Sequence, residues 1–299
     1  MLDRYLNDIR FLARTKDNLL GAETPLENAE YVVFGVPYDL TSSFRPGSRY
    51  GPEAVRHFSA NLESNSYIRD YDAMTAPLYD AGNLVFDYRL PVMLKRTYRL
   101  VKAIRALNKR PIMIGGEHTF TLASISALRT TGLAVIILDA HLDLRDEYLG
   151  LRLNHATYLR RLKEKNPEIP ITIVGARGYD RSELEFARKY SINIIRASDI
   201  TDSSESLRGL EQEISDRDVY ISFDIDVLDP AYAPGVGNPE PGGLSMAQLT
   251  TIIHRIVGRR VVGFDVVEVS PLYDTGVTAA AASRLIIECL AAISGARHL

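Results

Sequence analysis

Eight short runs dominated by Val, Ile, Leu, Phe and Tyr recur between Tyr31 and the C-terminus, with longer helical patterns between them. They begin at Tyr31 (YVVFGV), Pro77 (PLYDAG), Pro111 (PIMIGG), Leu133 (LAVIILDA), Ile171 (ITIVGAR), Ile192 (INIIRA), Val219 (VYISFDID) and Val261 (VVGFDVVEV). Several are apolar at nearly every position, which suits strands covered on both faces of a parallel sheet rather than half-exposed ones. Stretches from Val92 to Leu107, from Ser182 to Lys189 and from Val277 to Ser294 carry helical spacing. In RYGPEAVR, Pro52 can take the first helical turn, where its missing N–H costs nothing, and Glu53 sits at the positive end of the dipole. The repeated strand–helix unit predicts an α/β fold with three layers (αβα) around a mostly parallel central sheet. No Gly/Ser-rich linker, low-complexity segment or repeat divides the 299 residues, so one domain spanning 1–299 is expected. In such sheets ligands bind at the carboxyl ends of the strands, and chemical residues are expected there.

Charge and composition narrow the partners. The formal net charge is -3, with 35 Lys+Arg and 38 Asp+Glu interspersed along the chain, so no basic footprint for nucleic acid or an anionic membrane is present. Cys289 is the single cysteine, which removes an internal disulfide framework. It lies in an apolar helical stretch and reads as a small core residue rather than a nucleophile. Charges interrupt MLDRYLNDIRFLARTKDNLL every few residues, so it has no signal-peptide core. With no spanning run of about 18 apolar residues recognised elsewhere, a cytoplasmic protein is expected.

Three strand ends carry the chemistry. LAVIILDAHLDLRD places Asp139, His141 and Asp143 at alternate positions where the apolar run stops, and a side-chain period of two points all three one way if the chain stays extended. VYISFDID ends with Asp224 and Asp226 in the same alternation, and PIMIGGEHT ends in two glycines followed by Glu117 and His118. Alone, a D-x-D is most often a cap or turn former, and a His after Gly-Gly most often a satisfied loop residue. Together, four aspartates in one crevice would repel one another and resist desolvation unless divalent cations joined them.

Carboxylate and imidazole without thiolate suit Mn²⁺, Fe²⁺, Co²⁺ or Zn²⁺. Six protein ligands would saturate one ion, whereas two ions sharing Asp139 and Asp224 leave room for a bridging hydroxide, a nucleophile at neutral pH. Four aspartates and a hydroxide against two divalent ions leave about one net negative charge, which favours a cationic substrate. Glu268, near the end of VVGFDVVEV, could add another, although a solvated strand-end acid is the plain alternative.

At these residues the chain resembles the ureohydrolases, the family of arginase and agmatinase. The match is carried by GGEHT from Gly115, DAHLD from Asp139 and SFDIDVLDPAYAPGVGNPEPGG from Ser222 to Gly243, with support from DVVEVSP at Asp265 and SFRPGSRYGP at Ser43. It runs from about Tyr31 to the C-terminal helix. The resemblance implies an arginase-like fold and two Mn²⁺ per chain. His118, Asp139, Asp143 and Asp224 would hold one ion, and His141, Asp139, Asp224 and Asp226 the other. It also implies that a metal-bridging hydroxide attacks the guanidinium carbon, that Asp143 hydrogen-bonds the hydroxide and passes its proton to the leaving amine, and that Glu268 pairs with the guanidinium. His155, in LNHATYL, falls where the family has a histidine proposed as proton shuttle; a packed loop histidine is the alternative. Many members have Asp where this chain has Glu117, which implies a supporting rather than ligating position. His57, His254 and His298 match no motif and are read as surface or helix residues. Homo-oligomers, trimers or hexamers, are common in the family.

Arginases read their substrate's α-carboxylate and α-amino groups through a loop before the shuttle histidine and an acid after a Gly-x-Arg. Here the loop is LRDEYLGLRLNH and the later strand reads GARGYD, with Gly178 in place of that acid. Agmatine, hydrolysed to putrescine and urea, is therefore the expected substrate. Asp146 and Glu147 are candidates for its ammonium end, while Arg145 and Arg152 would suit an acidic tail. The alternatives are a guanidinobutyrase, a formiminoglutamase or another guanidino or formimino hydrolase of this fold, and a catalytically silent regulatory subunit. A zinc deacetylase shares only the general fold, and its single metal does not need six ligands.

Overall fold

The computed structural model describes Tyr5, residues 13–14, 18–128, 132–200, 205–258, 260–295 and 297–298. The N-terminal stretch read above as lacking a signal-peptide core lies mostly outside these residues. Nine strands form one sheet: β1 (Ala13–Arg14), β2 (Tyr31–Gly35), β3 (Leu78–Leu84), β4 (Arg110–Ile114), β5 (Leu133–Leu138), β6 (Ile171–Ala176), β7 (Asn193–Arg196), β8 (Asp218–Asp224) and β9 (Val261–Val267). The order is β1-β3-β2-β4-β9-β8-β5-β6-β7. Eight strands are parallel; β1, two residues long, joins the edge antiparallel to β3. All eight runs singled out in the sequence are strands, and β1 was not among them.

Alternate residues of one strand feed two different cores. In β5, Ala134, Ile136 and Leu138 pack into one apolar cluster and Leu133, Val135 and Ile137 into the other. Helices α1 (Gly51–Ser59), α6 (Glu205–Ile214), α7 (Met246–Ile256) and α8 (Val277–Ser294) close the first core through Val55, Leu210, Leu249 and Leu285. Helices α2 (Leu90–Ala106), α3 (Thr121–Leu128), α4 (Tyr158–Lys165) and α5 (Arg181–Lys189) close the second through Val101, Ile125, Leu162 and Phe186. This double covering is why the strands read as continuous apolar runs rather than alternating ones.

Helix α8 is long and apolar enough by length and composition to cross a membrane, so the expectation of no such segment was too strict. In this fold 78% of it is buried inside the protein. Its charged side chains are tied internally: Arg284 donates to the carbonyls of Glu63 and Asn65, and Glu288 accepts from Ser66 and Tyr67. Cys289 is buried in this helix as a core residue. His254, read as a surface or helix residue, lies on α7 with its side chain only 4% exposed, beside Glu288.

The four central strands, β4-β9-β8-β5, present their carboxyl ends side by side. Leu138 pairs with Phe223, Phe223 with Val266, and Val266 with Ile114. The residues just beyond these partners, Asp139, Asp224, Glu268 and His118, therefore emerge along one edge, where doubly wound sheets bind ligands.

Candidate active site

Asp139 stands between two histidines. Its Oδ2 lies 3.1 Å from His118 Nδ1 and its Oδ1 3.5 Å from His141 Nδ1. Around His118 Nδ1 converge Asp143 Oδ2 at 3.3 Å and Asp224 Oδ2 at 3.2 Å; around His141 Nδ1, Asp226 Oδ2 at 3.0 Å. The six expected ligands thus form two donor groups that share one carboxylate. Asp224 Oδ2 faces the His118 group, and its Oδ1 accepts the backbone N–H of Asp226 at 2.9 Å.

The chain does not stay extended through these motifs, contrary to the simple alternation. Asp226 sits in a 3-10 turn, Ile225–Val227, capped by the Asp224 side chain. Asp139 Oδ1 likewise accepts the N–H of His141 at 2.6 Å. Short carboxylates bond the backbone two residues on and bend it. Asp143 has φ 52 and Glu268 φ 63, both left-handed and both uncommon for residues other than glycine. The turn at Asp143 is associated with its pairing to His118 rather than His141.

Close approach fixes the glycines before His118. A Cβ on Gly116 would lie 1.9 Å from the Tyr38 carbonyl oxygen, so only glycine fits. Behind His118, Nε2 meets the Ser222 hydroxyl at 2.9 Å and the Tyr158 hydroxyl at 2.8 Å. Ser222 donates to Asp265 at 2.5 Å, and Asp265 also accepts from Tyr220 and Thr121. With its proton committed to Asp265, Ser222 accepts from Nε2–H, so that a ring which gives up its second proton presents the Nδ1 lone pair to the aspartates. Sequence reading assigned no role to Ser222, Tyr158 or Asp265. All three lay inside quoted motifs, Tyr158 in LNHATYL, and an acid within the apolar run VVGFDVVEV was the available signal.

Glu117 is fully buried and accepts from Thr41 N at 2.9 Å, Thr41 Oγ1 at 2.7 Å and Thr119 Oγ1 at 2.6 Å. It fastens the loop that carries Ser43, whose hydroxyl lies 3.1 Å from His155 Nε2. His155 Nδ1 is buried without a partner among the described residues, and burial pushes the imidazole down to about 4. Arg177 clamps the opposite wall, donating to the carbonyls of Asp226 and Glu240, both at 2.7 Å.

The electrostatics call for added positive charge. Burial, then the charge of Asp139, pushes Asp143 up to about 7, and burial with Asp226 and Asp139 raises Asp224 well above the carboxylate range. Burial alone would raise Asp139 too, but the two histidines on its oxygens bring it below its ordinary value. Burial would lower both histidines, yet their carboxylate neighbours hold them well above the usual value. Burial also pushes Glu268 up to about 8. His118 Nδ1 and Asp139 Oδ2, both buried, lack hydrogen-bond partners among the described residues although they face each other. Orphaned donor atoms converging from carboxylates and imidazoles are what divalent cations fit.

All of these groups except Asp139 line a cavity of about 380 Å³ with Ser43, Phe44, Arg145, Tyr148, His155, Gly178, Tyr179, Asn238 and Glu240 among its walls. Asp146, Glu147 and Arg152 do not line it. Asp146 is held outside by Arg161 at 2.6 Å and Arg152 at 3.1 Å, which corrects the placing of the tail-reading acid in that loop.

Residues 29–292 match the model of the Arginase family. The chain is 36% identical to the agmatinase of Pyrococcus horikoshii over 82% of its own length and 85% of the relative's. It is 34% identical to the N(1)-aminopropylagmatine ureohydrolase of Thermococcus kodakarensis, over 92% of this chain and 96% of that protein. The crystal structure of the agmatine ureohydrolase of Thermoplasma volcanium superposes with a TM-score of 0.86 at 35% identity, covering 94% of this chain and 95% of that one. Its strand-end acids and histidines, its αβα layers and these likenesses together place the chain in the arginase family. It is an agmatinase-like ureohydrolase, an enzyme acting on guanidino substrates.

Proposed function

We propose that this enzyme hydrolyses agmatine to putrescine and urea with two manganese ions, held by His118, Asp139, Asp143 and Asp224 on one side and by His141, Asp139, Asp226 and Asp224 on the other. The observation that carries this is the split of Asp139, one oxygen toward each histidine group. When bound, such a metal pair supplies an activated water as nucleophile at neutral pH. The oxygen-rich, thiolate-free donor set suits manganese.

The chain's own residues do the rest. Glu268 lines the cavity with Oε1 on the His118 N–H at 2.8 Å, and its carboxylate pairs with the guanidinium by charge-assisted hydrogen bonds. Asp143, through Oδ2, orients the nucleophile and relays its proton to the leaving amine. His155 stays neutral near pH 7 because burial disfavours its cation, so it can accept and return a proton at the cavity wall. The reading includes assembly into a homo-oligomer, which light scattering of the purified protein tests.

The likeness to the N(1)-aminopropylagmatine ureohydrolase favours a second reading, a substrate extended by an aminopropyl group. Urea release by the manganese-loaded protein, with agmatine, N(1)-aminopropylagmatine, arginine and guanidinobutyrate side by side, decides between them. The higher kcat/KM is expected for agmatine. Faster turnover of the extended amine would move the assignment, and release from guanidinobutyrate alone would overturn both.

A further inference from the structure

We infer that Glu240 recognises the cationic end of the substrate remote from the guanidinium, a primary ammonium on a flexible aliphatic chain. This rests on the amine-tailed substrate proposed above. Six acids line the cavity: Asp143, Glu183, Asp224, Asp226, Glu240 and Glu268. The three aspartates face His118 or His141. Glu268 accepts the His118 N–H, and Glu183 accepts two backbone N–H groups, from Leu144 and Asp180, each at 3.0 Å. The side-chain carboxylate of Glu240 takes part in no hydrogen bond or ion pair among the described residues, although its backbone carbonyl is held by Arg177. An anion on a clamped backbone, half-buried in a cavity wall and in no ion pair among the described residues, is suited to a ligand cation.

Close packing at Gly178 supports the assignment. A Cβ built there would stand 2.9 Å from His141 Cδ2 and 3.4 Å from Glu240 Oε2. The Glu240 carboxylate and the His141 ring therefore both crowd against Gly178, which places the carboxylate next to one of the two donor groups. The acid beside His141 comes from the loop after β8 rather than from the end of β6. Phe44, Tyr148, Tyr179 and Pro239 give the same cavity apolar walls for methylene groups. Arg145, a cation on that wall, is turned to Asp180 at 3.1 Å and lies over the Tyr148 ring.

The test compares agmatine with n-butylguanidine, which keeps the guanidinium and the chain but lacks the ammonium. In the manganese-loaded wild type, agmatine has the higher kcat/KM. In Glu240→Gln the ratio of the two kcat/KM values falls by roughly tenfold to a hundredfold, mostly through KM for agmatine, the scale of one charged hydrogen bond. Glu147→Gln, outside the cavity, leaves the ratio where it was. If Glu240 only oriented His141, both substrates would lose turnover together and bound manganese would fall. That result, or an unchanged ratio, overturns the inference. Calorimetric titration of both compounds gives the same comparison without turnover. A wild type that releases no urea yet binds agmatine more tightly than n-butylguanidine, with Glu240→Gln abolishing the preference, would overturn the proposed hydrolysis and leave Glu240 as the reader of the amine.

Discussion

Glu268 accepts the backbone N–H of His118 at 2.8 Å from a left-handed backbone, φ 63, at the end of the neighbouring strand. One bond joins the acid facing the cavity to the backbone of a candidate metal ligand. Backbone strain of this kind costs on the order of 1–3 kcal/mol and persists where its surroundings impose it. Glu268→Gln keeps an acceptor for the His118 N–H and removes only the charge. Bound manganese should stay the same by elemental analysis, while kcat/KM for agmatine falls by about 2–4 kcal/mol of transition-state stabilisation. Near wild-type turnover would remove Glu268 from guanidinium recognition.

Asp143→Asn tests the metal assignment itself. Asn tolerates the left-handed conformation found at Asp143, φ 52, so the loop is expected to hold. The substitution removes an anion facing His118 Nδ1. Manganese content should drop below two per chain, turnover should fall further than in Glu268→Gln, and the rise in Tm on adding Mn²⁺ should shrink. Full activity with two metals bound would contradict the proton relay and the ligand assignment together.

Away from the site, Arg56 and Asp80 form a fully buried ion pair, Nε to Oδ2 at 2.8 Å and a second bond at 2.9 Å. Asp80 also accepts from Leu19 N and Gly82 N, which ties the segment at Leu19 to β3. Arg56→Met strands the Asp80 charge and should cost about 3–5 kcal/mol in urea unfolding. Adding Asp80→Asn removes that charge while keeping an oxygen for Leu19 N, and should recover part of the loss. Equal losses in the single and double variants would show that packing, not the stranded charge, sets the cost.

Six of the eight parallel strands were legible because burial on both faces makes them nearly all apolar, whereas β3 carries Asp80 and Asn83 and β7 is largely exposed. The edge strand Ala13–Arg14 is too short to show a period. The ligand-bearing strand ends were legible from charge crowding, but their shape was not. A strict alternation assumes an extended chain, and the bonds from His141 N to Asp139 and from Asp226 N to Asp224 bend it. The tail-reading acid was sought at Asp146 and Glu147 because they follow the metal motif. Arg152 from the same loop and Arg161 from α4 instead hold Asp146 outside the cavity. Glu240 enters through the clamp of Arg177 across two separate loops, a contact without a local sequence signature.

Glu288, on the buried face of α8, should make the stability of the protein depend on acid. Burial would raise its carboxyl, but His254 Nε2 at 2.8 Å, the Ser66 hydroxyl at 2.6 Å and the Tyr67 N–H at 3.0 Å outweigh that and hold it below its ordinary value. Arg284 adds a cation at 3.7 Å, and Arg69 donates to His254 Nδ1, which directs the ring proton on Nε2 at Glu288. Because the folded pKa is depressed, the unfolded chain takes up the proton first as pH falls. The contribution is therefore complete above the unfolded value of about 4.3 and is lost as pH drops through the lower folded value. Glu288→Gln should be less stable than wild type by about 1.5–3 kcal/mol at pH 7, the scale of hydrogen bonds to a charged group. Loss of metal in acid affects both proteins alike, so their difference isolates Glu288. Urea unfolding of the pair between pH 7 and pH 3 should show the gap closing only at the acid end. A gap that stays constant would place its origin in packing rather than in the carboxylate charge.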